Sequence, residues 1–203
     1  MRIRLSAVAA IAAIATAGAL ALVAPAAAST TTYSADPTHS DVSFSVRHLV
    51  SRVRGEFEDF SAEIVRNEAE PAASRVDFRI RVASIDTGNE KRDDHLRSPD
   101  FFDASAHPEI VFASRRVEKL TDSEYRVTGE LTMRGVTKVI TLPVTFHGEM
   151  TDPWGGVRAG FSTSIVLDRQ EFGIRWNKSL DQGGVMLGDE VRVDVELEAK
   201  KVS

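Results

Sequence analysis

The chain has no cysteine. Disulfides, a lipid-modified cysteine and a thiol nucleophile are thereby excluded together. The five histidines, His39, His48, His95, His107 and His147, stand singly. None forms an H-x-H or H-x-x-x-H pair, so metal-ligand spacing is lacking. No G-x-S-x-G elbow is present. No repeat recurs at a fixed period, which excludes propellers and solenoids. There is no alternation of strand and helix patterns, which argues against a parallel sheet. Beyond the first 28 residues no run is long and apolar enough to span a membrane. Lys and Arg total 25 against 30 Asp and Glu, a net charge of −5. An acidic, mixed-charge surface argues against a nucleic-acid partner. Without disulfides the domain must be held by core packing alone.

The N-terminus reads as a leader. Arg2 and Arg4 form a basic region, and Leu5 to Val23 is uncharged and apolar. Pro25 breaks that run, and Ala26-Ala27-Ala28 offers a small-residue cleavage site before Ser29. Residues 1–28 are therefore expected to be a secretory signal peptide cut after Ala28, with a periplasmic or secreted product. Ile3 separates Arg2 from Arg4, so there is no twin-arginine pair. Residues 29–203 suit one domain with a sizeable core.

The rest of the chain is strand after strand. Ser29 to Ala35 reads as a short tether. Thr38 to His48 alternates, with Val42, Phe44, Val46 and His48 on one face. Val53, Gly55 and Phe57 alternate, then Phe60, Ala62 and Ile64 continue on the opposite parity, so Glu58-Asp59 marks a bulge or bend. Arg75 to Ile85 is the cleanest case, with Val76, Phe78, Ile80 and Val82 on one side. Further strands run over Glu109–Glu118, Tyr125–Met133, Val139–Glu149, Val157–Asp168 and Glu190–Ala199, with Arg134 to Lys138 a tight basic turn. Pro143 demotes the middle of its strand to an edge or a bulge. Arg169 to Gly188 is a long irregular connection with Gly183-Gly184 as its hinge. Period two throughout predicts an all-β fold of eight antiparallel strands with one short helix. Eight strands can close into a barrel that removes exposed edges and has room for side chains or one narrow ligand. A two-sheet sandwich fits the same pattern.

The interruption is Ile85 to Phe102. Asp86-Thr87-Gly88-Asn89 is a turn signal. Asn89 can cap a helix with Glu90 in its first turn and Arg97 in its last, and Pro99 stops it. Phe101 and Phe102 follow at once. A charged helical plug ending in two rings is either one end of a ligand site or a solvated cap over a barrel mouth. Arg92, Arg97, Arg134, Lys138, Arg169, Arg175 and Lys178 fall in turns and connections, which gather at barrel ends. Such residues suit an amphiphile with a polar or anionic head, or are ordinary turn charge. Asp93-Asp94-His95 sets acids beside an imidazole, but neighbours one apart on a helix do not face each other. No catalytic, cofactor or metal site is read from the residues.

Short runs along nearly all of residues 29–203 match a known family in order and spacing. They include Asp36-Pro37-Thr38-His39-Ser40, Gly55-Glu56-Phe57, Ser84-Ile85-Asp86-Thr87-Gly88 and Arg92-Asp93-Asp94-His95-Leu96. Asp100-Phe101-Phe102, Pro108-Glu109-Ile110-Val111-Phe112, Gly135-Val136-Thr137-Lys138 and Arg169-Gln170-Glu171-Phe172-Gly173-Ile174 continue the match. On these the chain resembles the YceI-like proteins. The resemblance implies a lipocalin-like antiparallel β-barrel whose apolar pore takes a polyisoprenoid, a quinone or a fatty-acid-like amphiphile. It implies that homodimers are among the states open to the chain, and it brings no catalytic residue or cofactor. Joined to the alternation, it gives Phe44, Phe78, Ile80, Phe101, Phe112, Leu131, Phe146 and Phe161 as expected pore lining. Arg92, His95 and Arg169 are the expected contacts of the ligand head. The expected function is a non-enzymatic lipid carrier or store. An enzyme using His95 and Asp93 on the lipid head, and a ligand-free structural, stress-response or interaction protein whose barrel is simply filled by its own side chains, are the alternatives.

Overall fold

Three staves bend, and the bends explain how eleven hydrogen-bonded segments make a closed barrel of eight staves. The computed structural model describes residues 30–181 and 184–202. The leader expected over residues 1–28, and Gly183 of the expected hinge, lie outside the described residues. β1 (Thr30–Ala35) and β2 (Asp41–His48) form one stave broken by a 3-10 turn at Pro37–His39. β3 (Ser51–Phe57) and β4 (Phe60–Asn67) form the next, bent at Glu58-Asp59 where the parity slips. β5 (Arg75–Arg81) continues through a 3-10 turn at Val82–Ser84 into the short β6 (Ile85–Asp86). β7 (Glu109–Lys119), β8 (Glu124–Met133), β9 (Val136–Thr151), β10 (Val157–Asp168) and β11 (Leu187–Lys201) complete the set.

All pairings are antiparallel, in the order β1-β4-β5-β7-β8-β9-β10-β11, and β1 pairs back onto β11 to close the ring. The sandwich is therefore not the fold. Opposite its β10 edge, β11 serves two partners: Ala199 and Lys201 face Ala35 and Tyr33 of β1, while Val191 to Glu196 face Val46 to Asp41 of β2. Ser29 to Ala35, expected to be a tether, supplies this closure through β1. Its polar threonines hid it, since only Tyr33 points a large side chain inward, and that residue is fully buried. Thr38 and His39 belong to the turn rather than to β2. Lys138 lies within β9, opposite Leu131, rather than in the preceding turn. The turn itself is Arg134-Gly135, both at positive φ, as a two-residue hairpin loop of the mirror-image type requires. Pro143 stands where β9 stops pairing with β10: Val144 still faces Thr163, and the stretch before it bonds only to β8. The N–H that proline lacks costs nothing at such an edge.

α1 (Glu90–Arg97) forms where expected. The Asn89 side chain accepts from the Arg92 N–H at 3.1 Å, and Ser98 ends the helix before Pro99. Arg97 ties it to the barrel by donating to the carbonyls of Ala83 and Ile85, each at 3.0 Å.

The core divides in two. A larger cluster gathers around Val42, Phe57, Ile85, Phe112 and Phe172, and a smaller one around Tyr33, Ile64, Ala159, Phe161 and Ala199. The smaller cluster sits at the end closed by β1 and β11. There the buried Asp36 accepts from Arg158 Nη1 at 2.7 Å, from Lys200 Nζ at 2.9 Å and meets His39 Nδ1 at 3.2 Å. Lys200 first, then Arg158, holds its carboxyl well below the usual carboxylate range. The Tyr33 hydroxyl donates to Glu149. Burial, then that carboxylate, pushes its phenol up to about 12.

Candidate functional site

Alternation turns one face of every stave inward. The result is a cavity of about 350 Å³ between α1 and the barrel interior. A second cavity of about 140 Å³ lies beyond it, toward the smaller core cluster. Phe44, Phe78, Ile80, Phe101, Phe112 and Leu131 line the larger cavity. Phe146 and Phe161 line the smaller, which Phe78 and Phe112 also reach. The walls are hydrocarbon almost throughout. A cavity of that kind excludes water by offering it no partners.

Polar groups converge at the α1 end. Arg92, His95 and Leu96 follow the i, i+3, i+4 spacing of one helix face and line the larger cavity. Arg92 is half-buried. It donates from Nε to the Thr87 hydroxyl at 2.6 Å and from Nη2 to the Thr87 carbonyl at 2.7 Å. Among the described residues Nη1 has no partner, so Arg92 brings an unengaged charged donor to the cavity lining. His95 meets Asp100 through Nε2 at 2.9 Å. Its ring stands edge-on to Phe101 at 5.0 Å and to Trp176 at 4.9 Å between centroids. Asp93, the acid considered beside His95, is instead buried and accepts from the Thr87 amide and hydroxyl at 3.0 and 2.5 Å. It shapes the turn before α1 and is not the partner of His95.

Arg169 also lines the cavity, but its guanidinium is already engaged. Nε donates to Gly188 at 2.9 Å, and Nη1 to the carbonyls of Ile174 and Trp176 at 2.8 and 2.9 Å. Nη2 reaches Asp189 at 3.0 Å. Those bonds hold the segment after β10 across the barrel end and set Trp176 against His95. Arg134 supports the same segment, donating to Gly173 at 2.9 Å and to Pro99 at 2.8 Å. Ile174, Met186 and Leu96 complete the lining from outside the strands. Strand alternation cannot reveal them. The apolar spacing of Phe172, Ile174 and Trp176, every second residue in a polar stretch, is the signal that marks the segment.

Among the described residues two groups of acids and histidine could hold a cation by geometry. In the cluster of Asp36, His39 and Glu198, Arg158 and Lys200 already supply the positive charge. Glu56 on β3, Glu58 in the bend after it and Asp86 on β6 form an open acidic trio, with the Asp86 carboxylate accepting from the Gly88 amide at 2.6 Å. Among the described residues no helix is long and apolar enough to cross a membrane.

The geometry has close counterparts. A UPF0312 protein of Pseudomonas putida (strain GB-1) is 40% identical over 138 residues, covering 68% of this chain and 72% of that protein. The crystal structure of Burkholderia cenocepacia BcnA superposes with a TM-score of 0.72 at 27% identity, over 81% of this chain and 98% of that one. A domain from Saccharophagus degradans, described as polyisoprenoid-binding and implicated in plant cell wall breakdown, shares the fold at a TM-score of 0.59 and 17% identity. It covers 84% of this chain and 98% of its own. The YceI-like domain matches residues 33–199, all but the edges of the described barrel, and the chain belongs to that family.

Proposed function

We propose that this protein is an exported carrier or store for a long-chain isoprenoid or similar amphiphile. Its tail lies in the larger cavity and its head meets Arg92 and His95. The observation that carries this reading is the cavity of about 350 Å³, walled by hydrocarbon and bordered at one end by a half-buried arginine with unengaged donors. Moving apolar surface from water into such a space contributes roughly 25 cal/mol per Å². A tail needs no hydrogen bonds, so Val, Ile, Leu and Phe are sufficient lining. Only the head needs polar partners, and they stand together on α1. Polyisoprenoid, the ligand class named for the Saccharophagus degradans domain, suits this division. Arg169 acts here as a positioning residue, holding Trp176 at the mouth. The leader read over residues 1–28 makes the carrier periplasmic or secreted.

Phe78 and Arg79 are neighbours on β5 with opposite faces, one inward and one exposed. Phe78→Asp is expected to abolish uptake of a prenol or quinone, whereas Arg79→Asp leaves it intact. Equal uptake by both variants would refute the reading. A second reading, chemistry on the head group, is favoured by the His95–Asp100 pair at the mouth. It requires turnover of a prenyl ester or phosphate that disappears in His95→Ala.

A further inference from the structure

The two cavities share one layer of side chains. Phe78, Phe112, Leu142, Thr163 and Val195 line both, one each from β5, β7, β9, β10 and β11. Phe78 faces Phe112 across β5 and β7, and Val195 faces Thr163 across β11 and β10. On the inward face of β8, Leu131 lines the larger cavity and Val127 the smaller. Gly129 stands between them. A Cβ there would lie 2.6 Å from Phe112 Cζ and 2.8 Å from its Cε2. The missing side chain is therefore the seat of the Phe112 ring, which lies over the glycine of the neighbouring strand. Thr163 is the one polar residue in the layer, and its buried hydroxyl has no partner among the described residues.

We infer that this layer is a septum that sets the length of tail the barrel accepts, with Phe112 as its specificity-determining residue. The inference rests on the carrier reading. An apolar cavity of about 150 Å³ takes one benzene, six carbons. On that scale the larger cavity takes about fourteen carbons, close to three isoprene units, and the two together about twenty, close to four. With the septum in place, a fourth unit stays at the mouth and adds no buried surface. Removing the Phe112 ring opens the path from the larger cavity onto Ile64, Val144 and Leu197, hydrocarbon walls of the smaller one.

Trp176 lines the larger cavity and reports on occupancy, and the exposed Trp154 is removed as Trp154→Phe to silence the background. The full chain in this form is titrated with geraniol, farnesol and geranylgeraniol, following Trp176 fluorescence. Affinity is expected to rise from geraniol to farnesol and then level. In Phe112→Ala the ratio of geranylgeraniol to farnesol affinity is expected to rise at least tenfold. Phe112→Leu keeps most of the core volume and should move that ratio in the same direction by less, which covers a failure of the alanine variant to fold. An unchanged length profile in these variants, or continued gain beyond farnesol without substitution, would overturn the septum while leaving the carrier standing. Failure of every prenol to bind any form would overturn the carrier reading, and the septum with it.

Discussion

Replacing Arg169 with lysine keeps the charge and removes the fork, which separates a positioning role from recognition of a ligand head. Arg169 is 5% exposed. Its four hydrogen bonds run to Gly188, Ile174, Trp176 and Asp189 at 2.8 to 3.0 Å. A lysine ammonium is a compact point donor and cannot span these partners together. Each hydrogen bond from a charged donor contributes roughly 1.5–3 kcal/mol, and the partners left behind are largely buried carbonyls. The bonds share one side chain and do not add, so the expected loss is about 3 kcal/mol, the lower end for breaking a buried pair. For a domain of this size each kcal/mol lowers Tm by roughly 2–4 °C, so Arg169→Lys should melt roughly 6–12 °C lower. Trp176 loses its anchor at the same time. Farnesol and farnesyl phosphate should therefore lose affinity by the same factor. Thermal melts followed by circular dichroism, and titrations read by Trp176 fluorescence, measure the two effects. A Tm within about 2 °C of the parent, with affinity lost for the phosphate alone, would show that Arg169 reads an anionic head and would refute the positioning role.

Other outcomes follow from single groups. Thr163→Val replaces a buried hydroxyl that has no partner with an isosteric methyl, and is expected to stabilise by about 1 kcal/mol in denaturant titrations; a lower midpoint would mean that the hydroxyl is bonded after all. Tyr33 has a folded-state pKa of about 12, against about 10 for a free phenol, so its protonated form is favoured by folding. The stability it contributes is full below about pH 10 and is lost as pH rises toward about 12. Tyr33→Phe should flatten that alkaline limb, and an unchanged slope would contradict the burial of the phenol. Asp36 is shifted the other way, so its contribution is full above about pH 4 and is lost as pH falls through its lowered folded value. Asp36→Ala should cost about 2 kcal/mol at neutral pH, with the gap to the parent narrowing in acid; a gap independent of pH would rule out the ion pairs with Lys200 and Arg158 as its source.

What the residues revealed was local. Val76, Phe78 and Ile80 alternate with arginines and an aspartate, so β5 and its inward face could be read directly. Asn89 and Pro99 bracketed α1 to the residue, because a cap and a stop act within one turn of the chain. β1 could not be seen, since Thr30 to Thr32 carry no apolar period and their pairing partners lie far along the chain, at Val65 to Asn67. Alternation placed Phe146 and Phe161 inward but could not say at which level, and they line the smaller cavity rather than the larger. Level along a barrel depends on stagger between strands, which no single strand encodes. Arg169 looked like a free cation in an irregular segment. Its partners are three backbone carbonyls and Asp189, and carbonyls leave no trace in a sequence. Gly129 lies inside the strand read over Tyr125–Met133, and only the register with β7 shows that the Phe112 ring fills the space beside it.

The central claim is that the larger cavity holds a hydrocarbon tail. It is tested most directly by expressing the full chain in bacteria, recovering the exported protein and measuring its mass under native conditions, then extracting and identifying whatever is bound. The account predicts one lipid per chain that survives purification, with an isoprenoid tail and a polar head. Protein that emerges empty, and that also ignores added quinones and prenols, would contradict it.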